Sequence, residues 1–140
     1  MVDKRVVILP CDGIGKIAGT VSREASQMIV KMKPDKTVLT CLPLLVIGDE
    51  DAVNLIRKNP CVSINGCRLA CSEINVKNSG GKLVSSLFVT DFLKKNRDLK
   101  PESSRIAELD DKGKRLAELL AKSVAIEVDK ILEDYNGEGG

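Results

Sequence analysis

The stretch VVILPCDGIGKIAG, residues 6–19, decides the fold because it joins a buried strand to a helix through a glycine-rich turn. Its first part, Val6–Leu9, is a continuous apolar run of strand length that is broken at Cys11. From Ile14 to about Met32, apolar residues recur at spacings of three and four, which places them on one face of a helix. An apolar strand followed directly by a helix is typical of a parallel sheet covered on both faces.

The same alternation continues along the chain. Short β-rich or apolar runs alternate with segments of helical spacing, and proline, glycine or asparagine separates them. Further strands are predicted at Thr37–Cys41, Cys61–Ile64 and Leu83–Val89, and intervening helices at Asp49–Lys58 and from Cys67 to about Glu73. This order predicts an α/β fold: a single three-layer domain with a mostly parallel sheet of about four strands, flanked by helices and ending in a long C-terminal helix.

The C-terminal half of the chain is expected to be mostly helix and connection. Thr90 or Asp91 is predicted to cap a short helix, and the polar segment Lys94–Ser104 to run over the surface. From Leu116 an apolar stripe continues to Tyr135. The stripe has to be buried, either on the chain's own sheet or against a second copy in a homodimer, and the first arrangement is the simpler one.

The domain organisation follows from these patterns. We expect residues 1–140 to form one α/β domain, in which residues 5–100 are the cysteine-bearing core, residues 112–135 the C-terminal helix and residues 136–140 a disordered tail.

The composition limits the class of protein. Hydrophobic residues make up 43% of the chain but aromatic residues only 2%, so the core has to be built from aliphatic side chains. The 22 Lys and Arg residues nearly balance the 20 Asp and Glu residues, and no basic stripe alternates with aromatics. No apolar run approaches the roughly 20 residues of a membrane span, and no secretory signal is evident. We therefore expect a cytoplasmic protein that binds neither nucleic acid nor membrane.

The five cysteines and the absence of histidine direct attention to thiol chemistry. In a reducing compartment, clustered cysteines are typical of metal ligands or reactive groups rather than of disulfides. Without histidine, Ser-His-Asp and Cys-His catalysis and histidine-containing zinc sites are excluded. A metal site in this chain has to use thiolates, carboxylates or water.

Cysteines occur where three of the predicted strands end. Cys11 comes after the first strand, Cys41 ends the second and Cys67 follows the third. The carboxyl ends of parallel strands share one edge of the sheet, where binding sites form, so these thiols are expected to converge. Cys67 and Cys71 are four residues apart, which on a helix places them on one face, with their Cβ atoms about 5 to 6 Å apart. Together, Cys11, Cys41, Cys67 and Cys71 are predicted to form a tetrahedral thiolate set suited to zinc.

Several of these features also have a structural interpretation. A cysteine in an apolar segment is often a small buried hydrophobe, and this is the better interpretation of Cys61. Gly13 and Gly15 lie at a strand-to-helix turn that favours an anion, but they also suit a tight turn with close helix packing. Lys16 is then either an anion ligand or a solvated first-turn residue. The acidic run at residues 49–51 is explained most simply by capping of a helix N-terminus.

Four segments carry a resemblance to a known family. PCDGIGK at residues 10–16, the cysteine in TCLPLL, INGCRLAC at residues 64–71 and the SGG that follows resemble the DGC-domain family of four-cysteine zinc-binding proteins. The likeness covers about residues 5–100, and INGCRLAC is its most specific part. It implies a metal site formed by four cysteines, which are matched here by Cys11, Cys41, Cys67 and Cys71.

The sequence departs from many members of that family at two positions. Ile14 stands where a further cysteine often follows the first, and Asn65 stands where the family motif has aspartate. The first difference removes a second thiol from that loop, and the second is expected to keep the turn.

Two functions from different classes are compatible with this pattern. The leading one is a zinc-binding domain with a structural role or a role in metal or sulfur handling, whose four thiolates leave no position for a substrate. The alternative is a thiol-dependent redox or sulfur-transfer enzyme, in which Cys11 is the nucleophile and Cys67 or Cys71 resolves the intermediate. A third, a cluster-binding protein, would be brown when purified anaerobically.

Overall fold

The computed structural model describes residues 4–11, 13, 15–103 and 105–138. Within these residues, parallel strands form one sheet in the order β2-β1-β3-β4. The strands are β1 (Val6–Pro10), β2 (Thr37–Leu39), β3 (Pro60–Asn65) and β4 (Lys82–Phe88). The predicted fold, one α/β domain with a four-stranded parallel sheet and a long C-terminal helix, is confirmed.

Helices connect the strands and cover both faces of the sheet. They are α1 (Ile17–Met32), α2 (Leu42–Val46), α3 (Glu50–Lys58), α4 (Cys71–Asn78), α5 (Val89–Lys95) and α6 (Asp111–Glu138), with a short 3-10 turn at Arg97–Leu99. As the sequence predicts, Asp49 caps α3, because its carboxylate accepts a hydrogen bond from the backbone N–H of Ala52 at 3.0 Å. None of the helices in these ranges has the length and apolar character that crossing a bilayer requires.

Alternate residues of the central strands face two separate cores. Val6 and Ile8 of β1 are buried with α1 and α6 on one face, whereas Val7 and Leu9 are buried with α2, α3 and α4 on the other. Both sets are apolar, which is why the strand appears in the sequence as an unbroken hydrophobic run. The residues that α6 buries fully in the first core are Leu116, Ala117, Leu120, Ala121, Val124 and Val128. The C-terminal helix therefore covers the chain's own sheet.

The strand order places an opening between β1 and β3. The chain leaves β1 through α1 on one face, and it leaves β3 through α4 on the opposite face. Neighbouring parallel strands whose connections diverge in this way leave a crevice at their carboxyl ends, where ligands bind in open α/β sheets. The fold thus defines one preferred position for a site.

Several predicted boundaries are wrong. Helix α1 begins at Ile17, three residues after the predicted start at Ile14, which lies outside the described residues. Strand β2 ends at Leu39, so Cys41 does not end the strand but occupies the N-cap position of α2. Helix α2 falls in a segment for which the sequence predicted none, because five residues that include a proline are too few to show a helical period.

Further corrections concern the second half of the chain. Helix α4 begins at Cys71 and not at Cys67, so the prediction that these cysteines share a helical face is wrong. Helix α5 begins at Val89 with Phe88 at its N-cap position, so neither Thr90 nor Asp91 is the cap. Helix α6 continues to Glu138 and therefore includes part of the predicted tail, while the last two residues lie outside the described ranges.

Candidate functional site

A cavity of about 200 Å³ lies where the connections after β1 and β3 diverge. We call it the switch cavity. Its wall is formed by the glycine-rich turn after β1, the first turn of α1 and the turn that leads from β3 into α4. The lining residues are Cys11, Gly13, Gly15, Lys16, Ala18, Gly19, Gly66, Cys67, Leu69, Ala70 and Cys71. Three of the four predicted site cysteines therefore line one cavity.

Cys11 is fixed on the β3 side of the cavity by hydrogen bonds at both its backbone and its sulfur. Its backbone N–H donates to the carbonyl of Ile64 at 3.0 Å and to Oγ of Ser22 at 3.2 Å. The Ser22 hydroxyl in turn donates to the same carbonyl at 2.6 Å. The backbone N–H of Gly66 donates to Sγ of Cys11 at 3.3 Å. The sulfur is therefore held beside the turn that carries Cys67.

Close packing of backbone requires two of the glycines. A Cβ atom at Gly19 would overlap the carbonyl of Gly13, and one at Gly66 would lie 3.0 Å from backbone atoms of Ala18 and Gly19. By contrast, a Cβ atom at Gly15 would meet nothing within 4 Å. The glycines at positions 19 and 66 thus allow the first turn of α1 to touch both adjoining loops, in agreement with the interpretation of close helix packing.

The CRLAC segment is a turn followed by the start of a helix. The backbone N–H of Ala70 donates to the carbonyl of Cys67 at 3.1 Å, and Ala70 has a φ of 53°, in the left-handed region. A non-glycine residue there is strained, and strain of this kind persists only where surrounding contacts enforce it. The turn, rather than a shared helical face, brings Cys67 and Cys71 to the same cavity.

Arg68 anchors this turn to the neighbouring edge of the sheet. Its guanidinium carbon lies 4.7 Å from the centroid of the Phe88 ring, and its side chain forms an ion pair with Asp91 in α5. The planar guanidinium can stack on the ring and pair with the carboxylate at the same time. Arginine loses less conformational freedom in such an arrangement than a lysine at the same position would. The position of the turn between the two cysteines is thereby tied to β4 and α5.

Asn65 connects three elements below the cavity. The residue is fully buried at the end of β3. Its amide nitrogen donates to Oγ of Ser86 at 2.9 Å and to the carbonyl of Leu87 at 3.1 Å, and its amide oxygen accepts from the backbone N–H of Glu73 at 3.2 Å. An aspartate could accept but not donate at these positions when ionised, so the amide suits this environment.

Lys16 brings a positive charge to the cavity. Its ammonium nitrogen lies 3.8 Å from Sγ of Cys67, across the opening between the two connections. The side chain is exposed at the N-cap position of α1. The sequence offered Lys16 as an anion ligand or as a solvated residue, and the structure places it next to a thiol.

Cys41 lies in a different place from the other three predicted ligands. It lines a second cavity of about 400 Å³ with residues of β2 and α1, among them Arg23 and Leu39. The backbone on either side is fixed, because the N–H of Thr40 donates to the carbonyl of Ile8 at 3.4 Å and Leu42 is buried. Cys41 shares the carboxyl edge of the sheet with the other cysteines, as predicted, but not their cavity.

Cys61 has a structural environment. It is fully buried in β3, and its thiol lies 3.4 Å from the carbonyl oxygens of Ile56 and Asn59, either of which can accept its proton. Burial raises the pKa of this thiol from 9.0 to about 12. Its position agrees with the interpretation of Cys61 as a small buried hydrophobe.

Comparison with known proteins identifies the family. The DGC domain model matches residues 7–112, which is more than half of the chain. The chain belongs to the DGC-domain family. No curated protein and no solved structure matches it.

The matched part of this DGC domain contains the whole switch cavity but only the first two residues of α6. The long helix that completes one face of the core therefore lies almost entirely outside the family match. All of the switch cavity and nearly all of the sheet lie within the matched residues.

The thiols that line the cavity of this DGC domain are of a kind that binds soft metal ions, but their positions do not match a coordination site. Thiolates are ligands that zinc and other soft metals prefer. In the described ranges, no three Cys, Asp or Glu side chains are arranged to hold a metal ion. The thiols of Cys11, Cys67 and Cys71 would have to be drawn closer together around an ion, and the last of them lies at the exposed start of α4.

Two residues that shape the site have only a weak signal in the sequence. Ser22 bridges Cys11 and β3, and its only sequence signal is a small polar residue within the apolar face of α1. Gly66 supplies both a hydrogen bond to Cys11 and close packing on α1, and the sequence marked it only as part of an Asn-Gly turn. Both roles depend on contacts between distant segments.

Proposed function

We propose that this DGC domain binds a metal ion such as zinc through thiolates at the carboxyl edge of its sheet, with a structural role or a role in metal or sulfur handling. The observation that carries the proposal is the convergence of Cys11, Cys67 and Cys71 on one cavity at the point where the chain's connections diverge. These cysteines come from two connections more than fifty residues apart in sequence, and a shared cavity is what a common ligand requires.

The surroundings of Cys11, Cys67 and Cys71 favour metal binding over a role of these thiols in packing alone. Unlike Cys61, all three are accessible, and none is paired in a disulfide. Cys11 already accepts a backbone hydrogen bond, which is a common support for a metal-bound thiolate. Lys16 would offset part of the negative charge that several thiolates accumulate. A bound zinc ion would hold the two connections together by coordination.

The first test is the metal content of the protein. Elemental analysis of untagged protein purified without added metal is expected to give about one zinc per chain. Cys11→Ser is expected to lose the metal, because it removes the ligand most firmly fixed by the backbone. Cys61→Ala, which changes a buried thiol outside the cavity, is the matched control and is expected to retain it. Correctly folded protein that contains no metal, even after zinc has been added, would contradict the proposal.

A thiol-dependent redox or sulfur-transfer enzyme is the second candidate, and two observations favour it. Lys16 lies beside Cys67, and among the described residues the thiols are not arranged around a common centre. In this mechanism, the thiolate of Cys11 attacks a disulfide substrate and releases one of its thiols. Cys67 or Cys71 then displaces the second thiol and forms a disulfide with Cys11.

The two candidates differ in thiol reactivity. The enzyme requires one fast-reacting thiol in the metal-free native protein and an internal disulfide after turnover. The metal site instead requires that zinc protects three thiols from alkylation together, and that a chelator exposes them together. Mass spectrometry of alkylated peptides, with and without chelator, distinguishes these outcomes.

A further inference from the structure

Helix α6 carries apolar side chains on the face that points away from the sheet. Leu120 and Val124 are fully buried in the core, whereas Ile126 is 64% exposed and Leu119 is 39% exposed. Leu119 and Ile126 are seven residues apart, so they lie on one line along the helix, with a drift of only about 20°. The helix therefore has a second apolar surface, which its own sheet does not cover.

A groove beside Ile126 widens this surface. It has a volume of about 350 Å³ and lies between the C-terminal end of α1 and the middle of α6. Met32, the last residue of α1, lines it and is 40% exposed. We call Met32, Leu119 and Ile126 the outer face. Lys16, at the switch cavity, precedes the other end of this 16-residue helix, so the groove lies about 24 Å from it along α1.

The charges of α6 are distributed in a way that its own dipole does not favour. Residues 111–122 contain four basic and two acidic side chains, whereas residues 127–138 contain one basic and five acidic side chains. A helix is positive at its N-terminus and negative at its C-terminus, so basic residues stabilise its last turn. The last turn of α6 contains no basic residue in its described range, Asp111–Glu138. The stability of the helix by itself therefore does not account for this distribution.

A second copy of the chain in the antiparallel direction complements both the apolar and the charged residues. The line through Leu119 and Ile126 continues at the same spacing to Lys112 and to Glu133, and all four side chains are exposed. In an antiparallel pair, Leu119 faces Ile126 and Lys112 faces Glu133, and the two-fold symmetry forms each pair twice. A parallel pair would instead place like charges opposite each other.

The charged residues at the two ends of this line are able to form such pairs. Among the described side chains, Glu133 forms no ion pair. Lys112 pairs with Glu102 within the chain, but these side chains are 45% and 78% exposed. An ion pair with this exposure is weak, so Lys112 can also interact with a second carboxylate.

We infer that two copies of this chain associate through the outer face, with their α6 helices antiparallel and with Leu119 and Ile126 at the centre of the contact. Each copy contributes one helix and the end of another, as in small interfaces of less than about 1,200 Å², so the association is weak and reversible. The inference is independent of the proposed function, because the outer face and the cysteines of the switch cavity lie toward opposite ends of α1.

Sedimentation velocity from micromolar to near-millimolar concentration tests the association. The sedimentation coefficient of the wild type is expected to rise with concentration toward that of two chains. Ile126→Lys is expected to remain monomeric, because it places a charge in the apolar contact. Ile74→Lys changes a residue of α4 that is 48% exposed on the opposite side of the sheet, and it is expected to associate as the wild type does. Thermal unfolding of both variants controls for folding.

An exchange of charges tests the antiparallel direction. Glu133→Lys and Lys112→Glu are each expected to weaken the association by at least about threefold at low ionic strength, because each places like charges opposite each other. An equimolar mixture of these two variants is expected to associate as the wild type does, since every charged pair in the mixed dimer is again opposite. A wild type that stays monomeric, an Ile126→Lys variant that still associates, or a mixture that associates no better than its components would overturn the inference.

Discussion

The cysteines of this chain occupy two kinds of environment, because Cys61 is buried and the other four are at least partly exposed to solvent. Cys61 lies among apolar side chains of β3 and α3, where ionisation of its thiol would leave a charge without solvent. Cys11, Cys67 and Cys71 instead line a cavity that opens to solvent. Their different accessibility leads to a direct chemical prediction.

We predict that Cys61 is the slowest of the five thiols to react with a disulfide reagent in the native protein. Burial raises its pKa to about 12, so the reactive thiolate is scarce at neutral pH and the sulfur is also inaccessible. The pKa of Cys61 is higher in the folded protein than in the unfolded chain. The protonated thiol therefore makes its full contribution to the stability of the fold below about pH 9, and this contribution is lost as the pH rises toward about 12. Peptide mapping after timed labelling measures the reactivity. Labelling of Cys61 as fast as Cys71 would contradict the prediction.

Gly19 and Gly15 form a matched pair for testing the close packing around the cavity. Gly19→Ala should gain about 1 kcal/mol of helix propensity, but its Cβ would overlap the backbone of Gly13, which has no flexible end that can move aside. We expect a net loss of roughly 1–3 kcal/mol in the free energy of unfolding. Gly15→Ala, whose Cβ meets nothing within 4 Å, is expected to change it by less than about 0.5 kcal/mol. Urea denaturation measures both, and equal effects would argue against close packing at Gly19.

At the scale of single elements, α6 is held by its apolar stripe and by its N-terminal connection. Leu120 is fully buried in the core, while its neighbour Leu119 is 39% exposed. We predict that Leu120→Ala lowers the free energy of unfolding by about 2–5 kcal/mol, because it removes a buried side chain and leaves a cavity. Leu119→Ala should have a much smaller effect in the same urea experiment. A comparable loss from both substitutions would mean that this helix does not pack as described.

The start of α6 predicts a pH dependence of stability. The carboxylate of Asp110 accepts hydrogen bonds from the backbone N–H groups of Gly113, Ser103 and Glu102, at 2.8, 2.9 and 2.7 Å. These bonds hold the pKa of Asp110 below its usual value of 3.8, and the bond from Gly113 has the largest effect. Since the folded-state pKa is lowered, this contribution is present above about pH 4 and is lost as the pH falls through the lowered value.

The variant Asp110→Asn tests this dependence. It should lower the midpoint of thermal unfolding at pH 7 and flatten the decline in stability below pH 4, because an amide cannot carry the charge that the backbone N–H groups favour. Asp134→Asn changes an exposed carboxyl in the same helix and is the control. An Asp110→Asn midpoint equal to that of the control across this pH range would count against a stabilising role of the Asp110 carboxylate.

At the scale of the whole molecule, the family match and the fold end at different places. The match stops at residue 112, yet α6 continues to Glu138 and completes one core. Leu116, Leu120, Val124 and Val128 of this helix are fully buried, and each such side chain contributes about 1.5–3 kcal/mol on burial. Their sum, roughly 6–12 kcal/mol, is comparable to the total stability of a typical domain.

We therefore predict that a chain ending at residue 110 does not fold stably. The apolar faces of α1 and β1 would be left exposed to water, which favours aggregation. Circular dichroism and size-exclusion chromatography of the truncated chain, compared with the full chain, measure the effect. A monomeric, cooperatively melting truncated chain would show that α6 is dispensable for the fold.

The extent to which the sequence predicts this molecule differs between its core and its site. Val6–Leu9 and Cys61–Ile64 are recognisable as strands because they are buried on both faces, which makes the apolar run continuous. The convergence of Cys11 and Cys67 on one edge follows from that alone. Local patterns therefore predict the architecture and the edge of the sheet that carries the cysteines.

The finer geometry of the site depends on details that leave no local signal. Ala70 adopts a left-handed conformation that its sequence neighbours do not suggest, and this turns the predicted helix of Cys67 into a turn. Cys41 lines a different cavity, and β2 ends two residues earlier than its apolar run implies. Strand ends are set by pairing with neighbouring strands and by the helix that follows, which a single sequence does not show.

The most direct test of the central claim, that the cysteines of the switch cavity bind one metal ion, is X-ray absorption spectroscopy of the zinc-loaded protein. Zinc–sulfur bonds are about 2.3 Å long, whereas bonds to nitrogen or oxygen are about 2.0–2.2 Å. The account predicts at least three sulfur neighbours at the longer distance in the wild type, and loss of one of them in Cys71→Ser. A zinc shell made mainly of nitrogen or oxygen, or a sulfur shell that Cys11→Ser and Cys71→Ser leave unchanged, would contradict it.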